Sequence, residues 1–290
     1  MIPRAEHQPQ GAAGAGSLHG GPNLPSPVCY INERLVAVAR RADALLVHPH
    51  AQRTGGKALR NRVLAAVFGA EKIYGRTTVT AAKRWPQLTE SDLEGFRAIS
   101  DHFDFRPRRF ARPCLPITLL RHPLYRASSL HRFVQKNEGH PLQALALDYD
   151  MEEFYRRGRE VLPRYFRNLQ CRAICGIDDA RVALDLILEH YLGVGFTEHV
   201  GQFANTLGDA LGWPVLDIRV PPADAQRYDG MIAPGFKAMV LEDSPQDLVL
   251  YEAFANGPPY RISQGSVAAR TRTACKRAEN AARGLASRYL

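Results

Sequence analysis

Two stretches carry residue types that can hold anions. In "LLVHPHAQRTGGKALRNRV", Leu45 to Val63, an apolar run ends at Val47, Gly55 and Gly56 follow, and a helix-forming run begins. A strand that stops at a glycine turn and enters a helix points several backbone N–H groups at one spot, where the helix dipole adds partial positive charge. Arg53 and Lys57 flank this turn with full charges, and Thr54 stands within it. In "ITLLRHPLYRASSLHRF", Ile117 to Phe133, Arg121 closes an apolar run, and Arg126, Ser128 and Ser129 follow on a helix begun by Pro123. The carboxyl ends of parallel strands gather on one sheet edge. The two stretches therefore suit one ligand with two separate phosphates.

A nucleoside-triphosphatase loop needs a glycine, four residues, and then Gly-Lys-Ser/Thr. Gly56 and Lys57 fit, but Ala51 stands where the first glycine belongs, and Ala58 replaces the magnesium-binding hydroxyl. Magnesium-dependent ATP or GTP hydrolysis is disfavoured. His102, in "ISDHFDF", lies between the two stretches at the end of an extended piece and is the favoured general base, since a histidine near neutral pKa suits proton removal. Asp104 is a weaker choice, and His48, His50, His122 and His131 read as bystanders.

The elements around these residues alternate short apolar runs with helical patterns, which predicts a mostly parallel sheet covered by helices. "ADALLVHPH" supplies the first strand. "GKALRNRVLAAVFG" follows as a helix, with Leu59, Val63, Ala66 and Val67 inward and Gly69 as its stop. "EKIYG" and "LPITLLR" read as strands, and "ESDLEGFRAISDHFDF" as a short helix followed by an extended piece. "HPLYRASSLHRFVQK" starts a helix with proline in its first turn. Further on, "DDARVALDLILEHYLG" is a helix with an aspartate cap, core positions at Ala183, Leu186, Ile187 and Tyr191, and Gly193 as its stop. "VGF" is a brief strand, and "TEHVGQFANTLGDALGW" a helix capped by Thr197.

The chain has 290 residues, 45% of them hydrophobic, which is enough for a sizeable core and excludes a wholly disordered chain. Its net charge is +9, and only six of its 38 basic residues are lysine. Guanidinium groups bind phosphate, sulfate and carboxylate bidentately. Residues 1–27 read as a disordered Gly/Ala/Ser/Pro-rich lead-in. Residues 28–265 read as one α/β domain, and residues 266–290 as a basic helical tail. The five cysteines have neither zinc nor disulfide-framework spacing, so no metal is expected. The opening has no apolar core behind its charge, and no run reaches the ~18 apolar residues of a membrane span. The expectation is a soluble cytoplasmic protein.

The layout resembles the sulfotransferases that use 3′-phosphoadenosine-5′-phosphosulfate (PAPS), in particular the carbohydrate-type branch of heparan-sulfate 2-O-sulfotransferase-like and bacterial enzymes. That branch shows "PKTGGTS" and then "LRDPxxRxxS"; here stand "QRTGGKA", Gln52 to Ala58, and "LRHPLYRASS", Leu120 to Ser129. "NLQCRAICG" (from Asn168), "VGFTEH" (from Val194) and "DLVLYEAFA" (from Asp247) are similar to three later segments of the branch, in its order. Arg53 replaces the branch's loop lysine, Lys57 and Ala58 its Thr and Ser, and His122 its Asp.

The resemblance implies a P-loop-like parallel sheet in a three-layer sandwich. It implies that Arg53, Thr54, Gly55, Gly56 and Lys57 hold the 5′-phosphosulfate and that Arg121 and Ser129 hold the 3′-phosphate. Arg53 and His102 are then the catalytic pair, and no metal is needed. The acceptor it implies is a carbohydrate, possibly acidic, modified at a hydroxyl or amine. The alternatives are a P-loop kinase-like phosphotransferase and a non-catalytic anion- or nucleic-acid-binding protein. Nucleic acid is disfavoured, because the basic tail lacks interleaved aromatic residues.

Overall fold

The computed structural model describes residues 29–41, 43–75, 85–108, 110–214 and 232–255. The expected disordered lead-in and basic tail lie outside the described residues. The remainder is an α/β fold around a six-stranded mixed sheet, mostly parallel, flanked by helices. The strands are β1 (Tyr30–Ile31), β2 (Leu45–Pro49), β3 (Ile73–Tyr74), β4 (Ala98–Asp101), β5 (Cys114–Leu120) and β6 (Gly193–Phe196), in the order β1-β6-β5-β2-β4-β3. Only β1 runs antiparallel to its neighbour.

β2 is buried at every position, as a central parallel strand covered on both faces must be. Side chains alternate across it. Leu45 and Val47 join Ile99, Leu120 and Phe196 in one apolar cluster, against α7 (Leu169–Cys175), α8 (Ala180–His190) and α11 (Pro245–Ala255). Leu46 joins Ile117 and Leu119 in the other, against α1 (Glu33–Arg41), the helical run after Gly55, and α9 (Val200–Leu211). From β2 the chain moves to β3 and β4 on one side, then crosses to β5 and β6 on the other. The crevice where this direction reverses lies at the carboxyl ends of β2 and β5.

The helix after Gly55 differs from its expected phase. It consists of α2 (Gly56–Ala58), a π-helical stretch over Leu59–Leu64, and α3 (Ala65–Phe68). A π turn holds more residues than an α turn, so the inward face slips forward. Leu59, Val63 and Leu64 are buried, whereas Ala66 is exposed. Two caps also differ. Gly193 does not stop α8 but opens β6, where a Cβ would crowd Ile31 and Phe203. Thr197 does not cap a helix; its hydroxyl donates to the Leu120 carbonyl at the end of β5, 3.2 Å away. The aspartate cap of α8 holds, with the Asp179 carboxylate accepting from the N–H groups of Arg181 and Val182.

A third apolar cluster lies beyond the sheet edge. α4 (Pro123–Gln135) packs there with α5 (Gln143–Asp148), α6 (Met151–Val161) and α10 (Pro234–Asp243), through Leu130, Val134, Phe154, Phe166 and Phe236. Arg126, fully buried, fastens α4 by donating to the carbonyls of Tyr165 and Phe166 at 3.1 and 3.3 Å.

α7 and α11 cap each other. The Asp247 carboxylate accepts from the N–H groups of Gln170 and Cys171 at 3.1 and 2.9 Å. The Asn168 side-chain oxygen accepts from those of Gln246 and Asp247 at 3.0 and 3.3 Å. Asp247 is fully buried, and its charge also acts on the Arg126 guanidinium. Asp247→Ala should therefore lower stability by about 3–5 kcal/mol in urea unfolding, because it strands two buried donors and a buried cation. Asp247→Asn, which keeps an acceptor oxygen, should lose less.

Candidate functional site

The residues singled out in the sequence meet at the carboxyl edge of the sheet. The Arg53–Lys57 turn follows β2, His102 follows β4, Arg121 follows β5, and Thr197 and Glu198 follow β6. A cleft of about 940 Å³ opens there. Among the described residues its walls carry Arg53, Lys57, Arg62, Arg121, Arg132 and Lys136, and no carboxylate.

The turn after β2 is tightly specified. Arg53 and Gly55 both take left-handed backbone angles, φ 70° and 82°; only glycine adopts these without strain. A Cβ on Gly56 would lie 2.0 Å from the His50 ring. The Thr54 hydroxyl is turned inward and donates to the Ala51 carbonyl at 2.8 Å, so it closes the turn rather than facing the cleft. Ala58 and Leu59 donate back to the Gly55 carbonyl. Among the described residues, none accepts from the N–H groups of Gly55, Gly56 or Lys57. These N–H groups form a nest at the start of the helix, an arrangement that can hold an anion.

A second group of cationic and hydroxyl side chains lies against α4. Arg53 donates from Nε and Nη2 to the Ser129 hydroxyl at 3.1 and 3.0 Å, and its guanidinium lies 4.6 Å over the Phe133 ring. Arg121 donates from Nη1 to the Arg53 carbonyl at 3.1 Å and pairs through Nε with Glu198 at 3.4 Å. Arg53 thus stands beside Ser129 and Arg121, while Lys57 carries the charge beside the nest. Burial first, and then repulsion from Arg121 and Arg132, pushes the Arg53 guanidinium down to about 10. Cations crowded in a partly desolvated cleft favour an anion between them. Burial also raises the Glu198 carboxyl, and Arg121 opposes that rise.

Sequence reasoning missed Arg132 and Lys136. Their signal is helical spacing: three and seven residues after Ser129, Arg132 continues its face of α4 and Lys136 caps the end of that helix. It also undervalued His50, which lines the cleft, packs against Gly56, and stacks on His48 at 4.6 Å. His102 donates from Nδ1 to the His50 carbonyl at 2.9 Å, and the two rings lie 4.2 Å apart. A neutral His102 held in this way carries its lone pair on Nε2, the tautomer a general base needs. Asp104 instead pairs with Arg164 at 3.4 Å. His122 accepts at the start of α4 from the Leu124 N–H, and His131 donates to the carbonyls of Ala146 and Tyr149. Both are structural.

No family model matches this chain, and no curated protein matches it. The site therefore rests on its own geometry. No helix among the described residues is long and apolar enough to cross a membrane.

His48 is fully buried in β2, hydrogen-bonded through Nδ1 to Ser100, and burial pushes its imidazole from 6.5 down to about 3. The unfolded chain thus binds a proton there near pH 6.5 that the folded chain refuses until about pH 3. The stability from neutral His48 is full above 6.5 and is lost as pH falls toward 3. Between pH 7.5 and 5.5 this single group should account for a loss of about 1.4 kcal/mol. Urea midpoints of the parent and His48→Gln chains should diverge by that difference in pH slope.

Proposed function

We propose that the chain is a PAPS-dependent sulfotransferase with a P-loop-like three-layer sandwich. The observation that carries this reading is the convergence of all five resembling segments on Arg121. The backbone of Arg121 is clamped by Gln170, whose amide accepts from its N–H at 2.8 Å and donates to its carbonyl at 2.9 Å. Gln170 lies in the first turn of α7, the helix that Asp247 caps. The Arg121 side chain reaches the glycine turn through Arg53 and the β6 segment through Glu198. Tyr251, four residues after Asp247, packs on Phe196 at 5.2 Å and on His122 at 5.3 Å. Counted without β1, the parallel strands follow the order 2-3-1-4-5, which suits a nucleotide held at the central strand.

The residues fit a donor with two separated anionic groups. The nest at Gly55–Lys57, with the Lys57 ammonium, takes the 5′-phosphosulfate. Ser129, Arg121, Arg132 and Lys136 take the 3′-phosphate, and Arg53 sits where the two positions meet. The donor supplies an activated sulfuryl group. Its S–O bond to the 5′-phosphate breaks with the electron pair going to that phosphate, and a new S–O bond forms to the acceptor oxygen. His102 Nε2 takes the acceptor proton. Lys57, Arg53 and the nest N–H groups stabilise the charge that grows on the departing phosphate, as preorganised donors do. Lys57 and Arg53 share the work that a single loop lysine does in the branch resembled.

A thermal-shift titration with adenosine 3′,5′-bisphosphate, 5′-AMP and ATP–magnesium tests the reading. The bisphosphate should raise the melting temperature well above the other two. Arg121→Gln should weaken it about 10- to 100-fold, the worth of one or two charge-assisted hydrogen bonds. A shift with ATP–magnesium alone would replace this reading with a kinase, and no shift at all would remove the donor site. Once an acceptor is in hand, His102→Ala should lower kcat about 100-fold or more while leaving bisphosphate affinity unchanged.

A further inference from the structure

A second cleft, of about 690 Å³, lies beside the cationic one, and His50, Gln52 and His102 line both. Resting on the sulfotransferase reading, we propose that this second cleft receives the acceptor, and that the acceptor is a small hydroxylated aromatic compound, phenolic in class, rather than the carbohydrate chain that the resemblance implies. The chemistry of the walls carries the choice. They set Tyr74, Trp85, Phe103 and Tyr165, with Leu88 and Leu169, beside the charged Asp101, Asp104, Arg106 and Arg164. Such lining and size match a pocket for one compact ligand.

Among the described residues, the charges that line the second cleft cancel. Asp101 and Asp104 face Arg106 and Arg164, and both acids are engaged, Asp101 by the His102 N–H and Asp104 by Arg164. A polyanionic glycan finds no net attraction there, in contrast to the cleft next door. A neutral sugar needs an open aromatic face to lie on, and Trp85 offers none. Phe103 stacks on its indole at 5.3 Å and 13°, Arg108 lies 5.7 Å over it, and only 2% of Trp85 is exposed. A flat ring can instead enter among these side chains edge-on or offset, with its hydroxyl toward the junction at His102. The hydroxyl proton then passes to His102 Nε2 as the acceptor oxygen bonds to the donor's sulfur.

The test is calorimetric titration of the intact chain with 2-naphthol and, in parallel, with an unsulfated uronic-acid tetrasaccharide, each with and without adenosine 3′,5′-bisphosphate. 2-Naphthol should bind and the tetrasaccharide should not. Phe103→Ala should weaken 2-naphthol about tenfold or more and leave bisphosphate affinity unchanged. If that variant does not fold, Tyr165→Ala, altered at a half-buried side chain, carries the same comparison. Tetrasaccharide binding in place of 2-naphthol, or naphthol affinity indifferent to both substitutions, overturns the inference. Loss of the bisphosphate signal alone overturns the donor reading instead and leaves the aromatic site standing.

Discussion

The end of β5 is held by a side-chain amide that behaves like a neighbouring strand. Gln170 satisfies both the N–H and the C=O of Arg121 where the strand gives out and α4 has not yet begun. Buried backbone groups at such a junction must find partners. Here the partner is tied down in turn: Gln170 lies in the first turn of α7, where its own N–H and that of Cys171 are fixed by a buried carboxylate from α11. The Arg121 guanidinium is therefore aimed by the packing of three elements. Two of its contacts, the Arg53 carbonyl and Glu198, belong to the loops after β2 and β6. The sheet edge is locked as a unit before any ligand arrives.

That preorganisation has an electrostatic cost. Among the described residues, six cationic side chains line one cleft, and the Arg53 guanidinium is disfavoured by burial and by two neighbouring arginines. Folding tolerates this because Glu198 offsets Arg121, Phe133 lies under the Arg53 guanidinium, and Ser129 accepts two of its donors. An incoming dianion meets donors whose desolvation has already been met by the fold, which is the condition under which binding energy is greatest.

Much of this was legible in the sequence. β2, β5 and the start of α4 stand out because buried parallel strands are continuous apolar runs and proline announces a helix start. The ordered segments around Asn168, Val194 and Asp247 pointed at the site before their contacts were visible. What was not legible depends on distant partners. The π turn over Leu59–Leu64 replaces Ala66 with Leu64 on the inward face, and nothing in the α-period betrays it. Gly193 reads as a helix stop until Ile31 and Phe203 are seen crowding it. β1 has two residues, too few to show a period, and it exists because β6 offers an edge. Arg132 and Lys136 look like solvated charges until the cleft places Arg53 and Arg121 opposite them.

The two clefts also explain why the glycine turn and the favoured base cannot vary independently. The His50 ring occupies the space that a side chain at position 56 would need, and the His50 carbonyl is what fixes His102. Any group added at Gly56 must push His50, and His50 has little room to yield, because its ring stacks on a buried His48 that is itself bonded to Ser100. The displacement would then pass to the anchor of His102. A loop usually judged by how it grips an anion is thus also judged by where it leaves the imidazole that lines both clefts. The identity of residue 56 is set by that second demand as firmly as by the first.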